Sequence, residues 1–395
     1  MAHAAGPWLH DVDGHRYLDL LGNYTALVHG NAHPAITEAA SRALAGGTCW
    51  AAGNDPMLDL AGLLVERVGP VERIRFCNSG SEATMHAAMV AREVTGRRTV
   101  LMARYGYHGS YDAFEVGNLG REGPDTLVAP FGDADAFEAV LAARGGEVAC
   151  VIVEPVMGSS GVVPAPPGFL ARVGAAARAA GALFVLDEVI TFRLGPGGAQ
   201  GLASHEGVEP DITTFGKLIG GGFPVGALGG RADVLAVTDP ARGRLPLSGT
   251  FNANPVTMAA GAASVRLLTA ERIAELDRLA GRLADGLTRA AAAHGVPFSV
   301  RRAGSLLNVF LAPEPPSTIA ERTDGGLMAA FHVACLNHGL FFAQRGLLVT
   351  STVLSDELVD EAVERAGAAL ADVAAAPAAP AGLAGPAGLS APTTA

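Results

Sequence analysis

The chain has 395 residues, 49% of them hydrophobic and 17% charged, with 28 basic residues against 39 acidic ones and a net charge of −11. That length allows two or three domains or one large α/β unit, with ample apolar residues for a core. The acidic balance, with no basic run, argues against a nucleic-acid or anionic-membrane partner.

Cys49, Cys77, Cys150 and Cys335 show no CxxC spacing. They read as free thiols of a cytoplasmic protein, and no metal site is expected from them. No basic n-region precedes an apolar run at the N-terminus, so no signal peptide is expected. No apolar run reaches the roughly 20 residues of a membrane helix.

The first element is a hairpin over Leu9 to Leu18, turning at Asp13-Gly14. Ala35 to Ala45 has helical spacing. Ser79-Gly80-Ser81 precedes a helix from Glu82 to Val94, closed near Gly96. Thr99 to Ala103 reads as a strand, followed by Tyr107-His108-Gly109. Ala149 to Val153 is a buried strand ending at Glu154-Pro155. Phe169 to Ala180 is a helix closed by Gly181. Ala182 to Leu186 is a second buried strand, ending at Asp187, and Ile212 to Phe215 a third. Fully apolar strands alternating with helices predict a parallel sheet covered on both faces. A helix from Asn254 to Thr269 should leave that sheet. Ser299 to Leu311 is the clearest later strand region. The expected division is a large domain over 41–260 and a smaller α+β domain from 1–40 and 261–373. The Ala-, Pro- and Gly-rich residues 374–395 read as a disordered tail.

Lys217 is the only lysine, so the other 27 basic residues are arginine. Lysine can lose its proton and attack a carbonyl, which arginine cannot. A lysine kept against that bias suggests Schiff-base chemistry. Gly220-Gly221-Gly222 follows it and permits close backbone approach.

In open parallel sheets the ligand lies beyond the carboxyl ends of the strands. Ser79-Gly80-Ser81, Tyr107-His108, Asp187 and Lys217 share that address. A hydroxyl-bearing turn at a helix N-terminus suits a phosphate, or is an ordinary serine cap. Asp187 follows an apolar run, where a carboxylate needs a cationic partner: a ring nitrogen or an arginine. Tyr107 suits stacking on a flat ring or is a half-buried loop aromatic. His108 reads more readily as a structural histidine. Glu154 is either a site carboxylate or a turn residue. Phosphate anchor, stacking aromatic, carboxylate and amine are the set that pyridoxal 5′-phosphate needs.

The chain resembles the fold-type I pyridoxal-phosphate enzymes, and within them the class III aminotransferases. The stretches that carry this are NSGSEATMHA (Asn78–Ala87), YHG (Tyr107–Gly109), VIVEPVMGSSGVVP (Val151–Pro164), LFVLDEVITFR (Leu183–Arg193), DITTFGKLIGGGFPVGALGG (Asp211–Gly230) and LSGTFNANPVTMAAG (Leu247–Gly261). The resemblance implies an α/β fold with a large cofactor-binding domain and a smaller α+β domain. It implies that Lys217 bonds the cofactor and that Asp187 faces its ring nitrogen. Gly80 and Ser81 would bind phosphate, Tyr107 would cover one ring face and Val189 the other. It also implies a homodimer in which Thr250 reaches the neighbour's phosphate.

Two branches compete. One is glutamate-1-semialdehyde 2,1-aminomutase, which moves the amino group within one molecule. The other is the β-amino-acid aminotransferases, which act by a ping-pong exchange between a donor and a keto acid or aldehyde. DEVITFR, Ser159, Asn23-Tyr24-Thr25 and Gly304–Phe310 stand nearer the second. In that branch an Arg before Gly receives a substrate carboxylate, and Arg345-Gly346 matches it, with Tyr24 as a further substrate contact. The family has several dozen residues before the hairpin, including a carboxylate-gripping Arg. This chain begins almost at the hairpin, so either the start is truncated or substrate is held differently.

Overall fold

The computed structural model describes residues 1–201, 205, 207–241, 243–317, 321 and 326–375. A seven-stranded sheet forms its centre, in the order Arg73–Cys77, Gly226–Gly230, Ile212–Gly216, Leu183–Asp187, Val148–Val153, Thr99–Ala103, Thr126–Ala129. Gly226–Gly230 runs antiparallel to both neighbours; the pairings among the last five strands are all parallel.

Alternate side chains of the central strands enter two cores. Leu101, Val151, Val153 and Leu186 pack with Phe137, Phe169 and Val173 on one face. Val100, Met102, Cys150, Ile152 and Val185 pack with Ala87, Val90 and Ala91 on the other. Burial on both faces is why these strands read as unbroken apolar runs.

Three strands of this sheet were not expected from the sequence, Thr126–Ala129 among them. Arg73–Cys77 was not expected, because its two arginines interrupt the apolar pattern. Gly226–Gly230 is four-fifths Gly or Ala and gives no strand signal. The glycine is needed there: a Cβ on Gly226 would lie 1.9 Å from the Ser79 carbonyl oxygen. The glycines after Lys217 permit the close backbone approach expected of them. A Cβ on Gly221, at φ +59°, would lie 2.6 Å from the Ala260 carbonyl, so the close approach is to the helix Pro255–Leu267.

That helix starts at Asn254, whose side chain accepts from the Val256 and Thr257 amides. A 24-residue helix, Ala270–Ala293, follows. Ser299–Leu311 proves to be a hairpin, Ser299–Ala303 and Leu306–Phe310, turning through Gly304 at φ +53°. Leu347–Val349 adds a third strand to it.

The N-terminal hairpin pairs Trp8–His10 with Arg16–Asp19, and Gly14 takes φ +88° in its turn. The Asp11 carboxylate organises that turn by accepting from the Asp13 and His15 amides and from the Tyr17 hydroxyl. Arg16–Asp19 also pairs in parallel with Leu340–Phe341. Leu18 and Leu20 thereby join a core with Leu279, Leu283, Leu340 and Leu370. The final helix, Asp356–Ala375, extends two residues into the segment expected as tail; residues 376–395 lie outside the described residues.

Candidate active site

Five strands of the main sheet deliver functional groups at their carboxyl ends. Arg73–Cys77 leads to Asn78 and the Gly80–Thr95 helix. Thr99–Ala103 leads to Tyr107 and His108, Val148–Val153 to Glu154, Leu183–Asp187 to Asp187, and Ile212–Gly216 to Lys217. A cavity of about 140 Å³ is lined by Gly80, Ser81, Tyr107, Glu154, Asp187, Val189 and Lys217, together with Thr84, His108, Gly109 and Ile190. Residues spread over 138 positions (80 to 217) thus meet in one place.

Lys217 holds φ +50°, a left-handed conformation that a non-glycine residue adopts at a cost of about 1–3 kcal/mol. Burial lowers the pKa of its amine, opposed by Asp187 and Glu154 and aided by Arg345. Lowering favours the neutral, nucleophilic form.

Asp187 is 4% exposed. One oxygen accepts from Thr214 Oγ1 and the Val189 amide, each at 3.0 Å. The other accepts from His108 Nδ1 at 2.7 Å. Three donors thus face its two oxygens, which leaves the side chain an acceptor. Sequence reasoning placed His108 in the scaffold; the structure puts it directly behind Asp187. Its carbonyl accepts from Thr84 Oγ1 at 2.5 Å, which ties the Tyr107-His108 loop to the Gly80–Thr95 helix.

Glu154 accepts from the Tyr107 amide at 3.1 Å and the Gly158 amide at 3.0 Å. Burial pushes its pKa up to about 7. It shapes the loop that presents Tyr107, whose side chain is 37% exposed at the cavity.

Ser79, expected among the cofactor contacts, lies outside the cavity lining; its hydroxyl accepts from the Glu82 amide as a helix cap. Gly80 and Ser81 do line the cavity, at the N-terminus of a 16-residue helix. The fit there is close. A Cβ on Gly80 would lie 2.9 Å from Val189 Cγ1, and one on Gly109, at φ +88°, would lie 2.3 Å from Ser81 Oγ. Both positions can pack this closely against Val189 and Ser81 only as glycine. A helix N-terminus beside a serine hydroxyl suits a phosphate, and a buried acceptor-only carboxylate suits a protonated ring nitrogen. The residues present therefore fit pyridoxal phosphate.

Thr250 is exposed and not part of this cavity; Cys49 Sγ donates to its carbonyl. The neighbouring Asn252 accepts from Asn78 Nδ2 at 2.8 Å. Outside the cavity lining, Arg345 lies near enough for its charge to act on the Lys217 amine, and it stands over Tyr24. The guanidinium carbon stands 5.5 Å from the Tyr24 ring centroid. Burial lowers the Arg345 pKa, opposed by Tyr24, Glu154 and Tyr107.

The model of the family described as aminotransferase class-III matches residues 1–115 and 124–370. The chain belongs to the class III aminotransferases. Its fold is the α/β fold of the fold-type I pyridoxal-phosphate transferases, and it is a pyridoxal-phosphate enzyme. It is 40% identical over 396 residues to glutamate-1-semialdehyde 2,1-aminomutase of Anaeromyxobacter sp., covering 95% of this chain and 91% of the relative. It is 39% identical over 371 residues to β-phenylalanine transaminase of Variovorax paradoxus, covering 93% and 85%. A solved transaminase with pyridoxal phosphate bound superposes with a TM-score of 0.88 at 33% identity, covering 94% of this chain and 90% of the other. No helix among the described residues is long and apolar enough to cross a membrane.

Proposed function

We propose that this class III aminotransferase moves the amino group of a β-amino acid to a keto acid or aldehyde by a ping-pong exchange. The observation that carries the reading is Arg345, its guanidinium over the Tyr24 ring and its charge felt by Lys217. A planar guanidinium near the reacting amine suits a substrate carboxylate. The 39% identity to a β-phenylalanine transaminase supports that substrate class.

Pyridoxal phosphate, when bound, supplies the carbonyl that takes the amino group and the electron-withdrawing ring. Lys217 would hold it covalently, and its amine is the group placed to carry the proton at the substrate carbon. Asp187, held by His108, Thr214 and the Val189 amide, keeps the ring nitrogen protonated. Gly80 and Ser81 would hold the phosphate, Tyr107 and Val189 would flank the ring, and Glu154 sets the Tyr107 loop.

The functional unit in this reading is a cytoplasmic homodimer. Leu58 and Phe251 are more than 60% exposed, and Trp50 44%. Trp50 and Phe251 flank the Cys49–Thr250 contact, so this apolar surface adjoins Thr250. A second subunit covering it would place Thr250 on the neighbour's phosphate. Residues 41–260 form the large domain and 1–40 with 261–373 the small one; Arg345 belongs to the latter.

The 40% identity to an aminomutase favours a second reading, transfer within one molecule. Purified holoenzyme given β-phenylalanine and 2-oxoglutarate separates the two. Glutamate formation supports the aminotransferase. Conversion of glutamate-1-semialdehyde to 5-aminolevulinate, with no transfer between added partners, would replace it by the aminomutase.

A further inference from the structure

Among the described residues, Arg193 is the largest fully buried side chain, at 0% exposed. Its Nε donates to Ser305 Oγ at 2.9 Å, its Nη1 to the Thr25 carbonyl at 3.3 Å and its Nη2 to the Thr350 carbonyl. All three acceptors are neutral oxygens. A buried guanidinium held this way costs several kcal/mol in desolvation, with no Coulombic partner in these bonds to offset it. Well-packed apolar side chains often serve stability better at such a site, so stability alone does not explain it.

The three acceptors come from separate parts of the chain. Thr25 follows Tyr24, the residue under Arg345. Thr350 follows the Leu347–Val349 strand, which begins two residues after Arg345. Ser305 is in the turn between Ser299–Ala303 and Leu306–Phe310. Arg193 itself lies six residues beyond Asp187, in the short 3-10 turn Thr191–Leu194.

Asn23, Tyr24 and Thr25 have φ of +49°, +54° and +80°, three consecutive non-glycine residues in the left-handed region. Such a turn persists only where surrounding bonds over-determine it. Its start is pinned by Asp19, whose Oδ1 accepts from the Leu21 and Gly22 amides at 3.0 and 2.9 Å. Its end is pinned by Arg193 on the Thr25 carbonyl. The Thr25 hydroxyl is buried and has no partner among the described residues, so that side chain does not stabilise the turn through a hydrogen bond.

We propose that Arg193 is a positioning residue for substrate recognition, holding the strained Asn23–Thr25 turn and the Thr350 end of the Arg345 segment in register with the loop after Asp187. It acts through Tyr24 and Arg345 and touches neither substrate nor cofactor. The kinetic part rests on the reading of Arg345 as a carboxylate site.

The test uses holoenzyme variants with two amino donors, β-phenylalanine and its carboxylate-free counterpart 1-phenylpropylamine. Arg193→Lys keeps the charge but loses the fork that spans three acceptors. It should raise KM for β-phenylalanine about 10-fold with kcat within about threefold, and change kcat/KM for the amine less than about threefold. Hydrogen exchange of the amides of residues 21–27 should quicken, while that of the Gly80–Thr95 helix stays the same. Thr25→Gly removes the cost of φ +80° and an orphaned hydroxyl. Combined with Arg193→Lys, it should restore KM to within about threefold of the parent. Arg193→Met, which removes the charge, should repeat the effect more strongly. Equal losses for both donors, unchanged exchange at 21–27, or no rescue by Thr25→Gly would overturn the proposal. Arg345→Ala in the same assay keeps the two readings apart. If that variant leaves the β-phenylalanine KM unchanged, the carboxylate assignment fails, and exchange at 21–27 alone decides whether Arg193 holds the turn.

Discussion

His108 donates from Nδ1 to Asp187 Oδ2 at 2.7 Å, with both side chains buried and 79 positions apart in the chain. The bond sets the Asp187 carboxylate from behind while its other oxygen is held by Thr214 and the Val189 amide. Asp187→Asn keeps the shape but removes the charge that stabilises a protonated ring nitrogen. We expect kcat to fall by roughly 10² to 10³-fold, the scale for losing one preorganised electrostatic stabiliser. His108→Asn, which can still donate, should lose less, about 10-fold. Cofactor binding, followed by visible absorbance, should survive in both. Near-normal turnover of Asp187→Asn would make this carboxylate structural.

The lone lysine gives a second test that few proteins allow. Lys217 carries the only ε-amine in the chain. Borohydride reduction of the holoenzyme should fix the cofactor to one peptide, the one containing Lys217. Lys217→Ala should bind cofactor without that covalent link and lose activity by at least the 10²- to 10⁴-fold typical of a missing acid–base group. Cofactor found on the N-terminal amine alone would remove Lys217 from the chemistry.

How much of this was legible beforehand depended on the kind of signal. Lys217 stood out by composition, and Asp187 and Glu154 by closing apolar runs that could only be buried strands. The strand ends then gave those residues a common address. Local signals were lost where the cause is non-local. Gly226–Gly230 is a strand because it pairs between Ile212–Gly216 and Arg73–Cys77, which no pattern inside GALGG records. His108 reads as a loop histidine until the fold sets it against Asp187. Arg193 reads as one arginine in a family stretch, since nothing near it in sequence tells that Thr25 and Thr350 converge on it. Ser79 went the other way: its position before a helix was equally consistent with a cap, and the cap is what the hydroxyl forms.

Glu154 predicts a pH dependence of stability in the cofactor-free protein. Its carboxyl titrates near 4.5 when unfolded and is pushed up to about 7 by burial in the fold. Between those values the folded state holds a proton that the unfolded state has lost. The stability Glu154 contributes is therefore full below about pH 4.5 and lost as pH rises through about 7. Urea midpoints at several pH values should fall across this window in the parent. Glu154→Gln, which stays neutral, should fall less, so the two curves converge at the acid end. Parallel curves would show that Glu154 is ionised throughout.

In the proposed β-amino-acid reading, Arg345 receives the substrate carboxylate. It lies beside Gly346, whose φ of +98° and position against the Val309 carbonyl, 2.3 Å from where a Cβ would sit, fix the turn that presents the guanidinium. Burial disfavours its charge, while Tyr24, Glu154 and Tyr107 support it. A carboxylate arriving from substrate would meet a half-buried planar cation already set against the Tyr24 ring. Arg345→Ala should raise KM for β-phenylalanine and for α-keto acid acceptors by roughly 10- to 100-fold, the equivalent of about 1.5–3 kcal/mol for a charged hydrogen bond. Arg345→Lys should recover little of this, because an ammonium cannot engage a carboxylate bidentately. Tyr24→Ala should weaken the same substrates by about threefold to tenfold through loss of the cation–π contact, and Tyr24→Phe should retain them. 1-Phenylpropylamine should react nearly as with the parent in all four variants. If acid and amine donors suffered equally, or only the melting temperature moved, Arg345 would belong to the scaffold and the β-amino-acid reading would lose its anchor.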